Sequence, residues 1–275
     1  MKHTEIRDII EGRYQKINMA FNKVMEAFGT DEIRLFRVEV KKLRAFLKLV
    51  RTMRDGSHAG RLPARLRKFY GAIGIVRNLQ VQEQRILTEA TAGSYALPSQ
   101  YLHLLEEEKT TNVAVAAKIG SGKSPFRKGM DQVVAILPGK LHPRMIKQFV
   151  SSEISAMEQL LTPASPDDET LHLMRKLIKD LQYTWTYITK DPAVAISYGL
   201  PVAKDDFKRI TARLGDFQDI SDGLELLNAD SLDRIDNEGE RSVLQHIERK
   251  WREENENAKP DLYDLLKKNW LQYHC

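Results

Sequence analysis

The sequence predicts an all-α fold. Three observations carry that prediction. Apolar residues recur at three- and four-residue spacing along most of the chain. Glycine and proline are sparse, at 15 and 10 of 275 residues, too few for the turns of a sandwich or a propeller. The second half also repeats the first: Arg34-x2-Arg37-x3-Lys41 returns as His172-x2-Arg175-x3-Lys179, and Ile73-Gly74-x3-Asn78-Leu79 as Leu214-Gly215-x3-Asp219-Ile220. Duplication of a helical unit is the economical explanation.

Taken in order, the spacing predicts helices over 3–28, 31–54, 61–91 and 98–118, then over 142–162, 168–190, 202–228 and 239–273, with Pro260 a candidate break in the last. Gly29-Thr30-Asp31 separates the first two, with Asp31 placed to cap the second. Pro163, Pro166, Pro192 and Pro201 punctuate the second half. The stretch from Ile119 to Pro143 reads as a central linker, and its Val133–Leu137 run fits a short strand or a helical turn equally. The expectation is one domain over residues 1–275, built from halves 1–138 and 139–275, each with four antiparallel helices joined by short connections.

Composition bounds the function. Hydrophobic residues at 42% and charged residues at 29% allow a large core and exclude global disorder. The single Cys275 excludes an internal disulfide framework and a cysteine-based zinc site, which suits a reducing compartment. No uncharged apolar run approaches the ~18 residues that cross a bilayer. Charges fill MKHTEIRDIIEGR, where a secretory leader needs an apolar stretch, so a soluble cytoplasmic protein with no membrane partner is expected. The formal net charge of +5 is unevenly spread. Residues 32–70 hold twelve Lys or Arg against three acids, and residues 216–264 hold fifteen acids against six bases. The basic segment points to an anionic partner.

The chemistry is concentrated in the second helix. Ile33, Phe36, Val40, Leu43, Leu47 and Val50 form one apolar stripe. One residue behind each stands a cation: Arg34, Arg37, Lys41, Arg44, Lys48 and Arg51. At 100° per residue these six fill an arc of roughly 100° that contains no acid. Val38, Ala45 and Leu49 form a second apolar shoulder beyond it, and only Glu39 and Lys42 interrupt the remaining faces. A solvated helix face normally mixes signs. Here successive neighbours repel, which gives up roughly 1–2.5 kcal/mol over five like-charge pairs. A helix packed on two flanks and facing a wet cavity or groove explains that cost. The sixth helix repeats the phase, with Leu171, Met174, Ile178, Leu181 and Trp185 as its seam and His172, Arg175, Lys179 and Gln182 one residue behind. From Arg34 to Arg51 the rail rises about 26 Å at ~1.5 Å per residue, a length suited to a linear polyanion. Arginine offers phosphate oxygens a bidentate fork and lysine a mobile point charge. No aromatics interleave the stripes to stack bases, which disfavours nucleic acid.

The runs IRLFRVEVKKLRAFLKLV and LHLMRKLIKDLQYTW, with the LGDFQDI segment, resemble the CHAD family, the conserved histidine α-helical domain. Its pattern is roughly H-x2-R-x3-R-R-x-R on one helix of each half, followed by an L-G-x-x-R-D-like turn in the next. Arg34 stands in place of the first histidine, Lys41-Lys42 replace an arginine pair, and Asn78 replaces the acid after Arg77. In the second half His172 is kept, while Asp180 and Gln182 stand where bases belong. The resemblance implies two helical bundles related by pseudo-two-fold symmetry around a basic groove or pore, and inorganic polyphosphate as the ligand. The implied contacts are Arg34, Arg37, Lys41, Arg44, His172, Arg175 and Lys179. Lys48, Arg51, Lys42, Arg65, Lys68, Lys204 and Lys208 join them by helix position only.

Rival signals are weaker. Gly120-Ser121-Gly122-Lys123-Ser124 has Ala117 where a phosphate-binding loop needs glycine. Asp216, Asp219 and Asp222 could hold Mg²⁺ but read as a solvated acidic helix face. No metal ligand set, nucleophile elbow or cofactor motif stands out. The expectation is therefore a binding module without catalysis, acting in targeting or scaffolding at polyphosphate granules. The alternatives are an enzyme acting on phosphoanhydrides or nucleotides, which needs acids beside the rail, and a general nucleic-acid-binding module. Oligomeric state leaves no signature.

Overall fold

The computed structural model describes residues 1–51, 61–122, 125–162, 166–189 and 204–270, with backbone alone at 204–207 and 270. The predicted helical residues 52–54, 190, 202–203 and 271–273 lie outside the described residues, as do Lys123, Ser124, Pro163, Pro192, Pro201, Cys275 and the side chain of Lys204. Among the described residues the chain forms ten helices and no strand, and it is all-α.

α1 (His3–Ala27) buries Ile6, Ile10, Tyr14, Ile17, Phe21 and Val24 along one stripe. It ends where Phe28 takes a left-handed φ of 48° and donates its N–H to the Val24 carbonyl. Gly29 follows, and the chain turns directly into α2 (Thr30–Arg51). That helix starts one residue before the expected cap, so Asp31 lies in its first turn and accepts from Arg34 Nε at 3.3 Å. α3 (Ala64–Ala92) and α4 (Ser99–Gly120) pack on one another as the next hairpin. The central connection is not wholly irregular: α5 (Arg127–Ala135) takes Val133 and Val134 into a helical turn, with Val133 buried. α6 (Pro143–Leu160) opens on the proline, whose missing N–H costs nothing in a first turn. α7 (Asp168–Ile188) is capped by Asp167, which accepts from the Thr170 N–H at 2.7 Å. α8 (Lys204–Leu226), a short α9 (Ala229–Asp233) and α10 (Glu238–Trp270) complete the chain. α10 runs through Pro260. Trp251 on one side of the proline and Leu262, Tyr263 and Leu266 on the other are all buried, so packing holds the helix across the lost hydrogen bond.

One core gathers buried side chains from α1 through α8 and from α10, so it spans both repeated segments. A second lies where α3 and α4 meet the chain around α9 and α10, centred on Tyr101, Leu244 and Trp251. Phe21, Phe36, Phe69 and Phe126 interlock, with the Phe36–Phe69 rings edge-on at 5.3 Å. The helices that bear the cations occupy the middle: α2 packs on α1, α3 and α7, and α7 packs on α2, α6 and α8. Among the described residues no helix is long and apolar enough to cross a membrane.

Candidate functional site

Burial of the two seams fixes how α2 and α7 are rotated. Ile33, Phe36, Val40, Leu43 and Leu47 are at most 1% exposed, as are Leu171, Met174, Ile178 and Leu181. The side chains one residue behind each seam must then leave the core at its edge. There α2, α3, α7 and α8 surround a cavity of about 560 Å³. α2 contributes Arg34, Arg37, Val38, Lys41 and Arg44, and α7 contributes His172, Arg175, Lys176, Lys179 and Tyr183. α3 adds Tyr70, Arg77, Asn78, Val81 and Gln82, and α8 adds Gln218, Asp219, Asp222 and Gly223. Eight Lys and Arg side chains thus face two carboxylates.

The cations are placed by their neighbours. Arg37 lies over the Tyr70 ring at 4.7 Å and donates Nη1–H to the Tyr70 carbonyl at 3.3 Å. It can do so because residue 74 is glycine: a Cβ there would collide with Arg37 Nη1. In the second repeat, a Cβ on Gly215 would come within 3.4 Å of Arg175 Nη2. Gly74 therefore makes room for an arginine of the preceding arc, whereas at Gly215 the matching arginine passes at ordinary contact distance. His172 donates from Nδ1 to Gln218 Oε1, and Gln218 Nε2 donates to Asp222 Oδ1 at 2.7 Å. This relay sets the imidazole tautomer and leaves Nε2 as the nitrogen available to a ligand. Lys179 donates to Gln182 Oε1 at 3.0 Å and lies 5.7 Å from the Tyr183 ring centre.

Among the described residues, Arg37, Lys41, Arg44, Arg77, Arg175 and Lys176 have no carboxylate partner. Their charges press on one another. Burial, then the neighbouring Arg37, Arg175, Arg44 and Lys179, bring Lys41 down to about 7. Burial and Arg175 bring Lys179 down to about 8. Arg77 is lowered by burial against the pull of Asp219, and burial raises Asp219 despite Arg175. Arg175 Nε is buried without a hydrogen-bond acceptor. Groups in this state gain from an anion that supplies oxygen acceptors.

The fold in which these residues meet also places the chain among known proteins. The CHAD domain family model matches residues 8–228. The chain belongs to the CHAD family. It is similar in structure to the crystal structure of the CHAD domain from the plant Ricinus communis, with a TM-score of 0.71 and 16% identity, over 99% of this chain and 92% of that one. It is also similar to PptA from Streptomyces chartreusis, with a TM-score of 0.67 and 15% identity, over 98% of this chain and 99% of that one. At these identities the likeness is one of fold. Among curated proteins none matches by sequence.

Within this CHAD domain the cavity brings together Arg34, Arg37, Lys41, Arg44, His172, Arg175 and Lys179. The other expected ligand residues stand elsewhere. Lys48 donates to Glu153 at 2.7 Å and to Asp180 at 3.0 Å, because α6 and α7 bring two buried carboxylates against that end of the stripe. Lys42 donates to Glu39 at 2.5 Å. Arg65 is spent on the carbonyls of Ile119 and Ser121, at the end of α4. Arg51, Lys68 and Lys208 are exposed and outside the lining. Lys204 has no described side chain. Asp219 and Asp222 face the cavity where a solvated acidic face was expected, because α8 packs on both α7 and α3, and Asp216 alone of the three is exposed.

Arg77, Lys176, Tyr70, Tyr183 and Gln218 join the site without a signal in the cationic arcs. Arg77 and Gln218 each lie three residues after the repeated glycine, Gly74 or Gly215, which is the feature that could have flagged them. The two tyrosines also bring aromatic rings to a site whose stripes carry none.

Proposed function

We propose that the protein is a non-catalytic binding module for inorganic polyphosphate, serving to target or scaffold at polyphosphate granules. The observation that carries this reading is the cavity wall, on which most of the Lys and Arg side chains have no carboxylate partner. Such a surface is electrostatically unfavourable until anionic oxygens neutralise it. Polyphosphate supplies such oxygens on every unit. Arg37 and Arg175 offer planar forks for two oxygens, Lys41 and Lys179 compact donors between them, and His172 an Nε2 that donates once protonated. Lysine and arginine without a metal clamp or a positioned nucleophile hold the ground state about as well as a transition state. That favours binding over turnover.

The enzyme reading would enlist Asp219 and Asp222 to hold a metal beside the phosphates. Calorimetric titration with polyphosphate of defined length, at two salt concentrations with Mg²⁺ present, tests both readings. The expected result is binding that weakens steeply with salt, by analogy with counterion release from nucleic acids, and no phosphate release over hours. A flat salt response would sink the binding reading. Release that disappears in Asp219→Ala would establish the enzyme. Preference for duplex DNA in competition at fixed salt would favour general nucleic-acid binding.

A further inference from the structure

The cationic stripe of α2 leaves the cavity between Arg44 and Lys48. Up to Arg44 its members line the open space. One turn on, Lys48 is bonded to Glu153 and Asp180, whose side chains are only 5% and 9% exposed. The ammonium is therefore engaged by the protein's own carboxylates, and that end of the rail offers no cation to the cavity. The usable lining from residue 34 to 44 therefore spans about 15 Å at ~1.5 Å per residue, not the length of the helix. A volume of about 560 Å³ is that of a pocket for one compact ligand, within the ~300–1,000 Å³ of small-molecule sites. Charge is densest at the inner end of the lining, where Lys41 feels Arg37, Arg175, Arg44 and Lys179 together.

We infer that the cavity receives the end of a polyphosphate chain, its terminal phosphate seated among Lys41, Arg44, Arg175 and Lys179, rather than an internal stretch running through. This rests on the polyphosphate reading and names which part of the polymer the site selects. Internal phosphates carry one negative charge each. A terminal phosphate carries about −1.5 to −2 near neutral pH and presents three strong acceptor oxygens, which matches the densest cluster of unpaired cations. Beyond that cluster the stripe offers an internal chain no further cation on the cavity wall, because Lys48 is held by Glu153 and Asp180.

The test uses the intact protein with three probes: tripolyphosphate, long-chain polyphosphate, and long-chain polyphosphate with both terminal phosphates capped as phosphoramidates. Calorimetry gives affinity, and sedimentation gives the number of protein chains on each polymer. End recognition predicts at most two protein chains per polymer whatever its length. Tripolyphosphate should then rival the long chain at equal concentration of ends. Capping should weaken binding on the order of tenfold to a hundredfold, the loss expected when a set of charged hydrogen bonds is removed. Occupancy that rises in proportion to polymer length, or capped chains that bind as well as uncapped ones, would overturn the inference while leaving polyphosphate binding intact. Failure of all three probes to bind overturns the parent reading as well.

Discussion

Lys41 and Lys48 stand two turns apart on the same face of α2, and their surroundings are opposite. Lys41 is half-buried beside Arg37, Arg44, Arg175 and Lys179, and falls to about 7. Burial would also lower Lys48, but the Asp180 and Glu153 carboxylates outweigh it and raise Lys48. Glu153 is raised in turn, by burial and by Asp180, because two carboxylates share one ammonium. One lysine thus stands among like charges, and the other already has its counter-ions from the protein. Helical spacing decides the direction in which a side chain leaves a helix. What it meets is decided by helices that arrive from far along the chain, here α6 and α7.

The largest expected effect comes from removing the satisfied lysine. Lys48→Ala strands Glu153 and Asp180 in a buried site without a cation. Breaking a fully buried pair costs about 3–5 kcal/mol, and because the Lys48 side chain is 40% exposed the expected loss is about 2–3 kcal/mol. Denaturant unfolding measures it. Polyphosphate affinity should change far less than at Lys41. A variant as stable as the parent, with its binding gone, would put Lys48 in the site and dissolve the contrast.

Lys41→Met should do the reverse. It removes two like-charge neighbours on the helix, Arg37 and Arg44, so stability should hold or rise by roughly 0.4–1 kcal/mol. Polyphosphate affinity should fall about tenfold. That is the low end for a charged hydrogen bond, because Lys41 near 7 is only partly protonated at neutral pH. Calorimetry and a thermal melt on the same sample decide the matter. Loss of stability without loss of binding would make Lys41 structural.

The sequence made the helices and the inner part of the site legible for local reasons. Periodicity depends on neighbours three and four residues away, so α2 and α7 and the rotation of their seams follow directly. Arg37, Lys41, Arg175 and Lys179 follow from that rotation. The repeated glycines were visible too, although their meaning was not: Gly74 matters because Arg37 crosses it, a contact between two helices. Lys48 was misleading because Asp180, one residue from Lys179 on the neighbouring face of α7, turns back toward α2. Asp180 is also the residue that stands where the family pattern has a base, so the departure from pattern and the absence of Lys48 from the cavity lining go together. Tyr70 and Tyr183 carried no sequence signal, since each enters from a helix face that reads as ordinary packing.

The smallest expected effect is on pH, and its sign separates the two lysines most finely. Lys41 lies at about 7 in the folded protein against an ordinary 10.5, so its charged form destabilises the fold. That cost is complete below about 7 and is relieved as pH rises toward 10.5. Lys48, raised above 10.5, contributes stability that is fully present through the same range. Phosphate oxygens favour the ammonium form, so a ligand must restore the proton that Lys41 has lost. Affinity should therefore be highest below about 7 and fall about fivefold from pH 7 to pH 8 through Lys41, with Lys179 at about 8 extending the decline. Ionisation of a terminal phosphate near ~6 acts with the opposite sign, which places the maximum between the two. Titration in buffers of different ionisation enthalpy reads the proton uptake directly. Lys41→Arg keeps the charge throughout, so it should flatten the first part of the decline and leave the part owed to Lys179. Lys48→Arg should leave the profile unchanged. If Lys41→Arg and the parent decline together, the proton is taken up elsewhere and Lys41 is not the group that meets the phosphate.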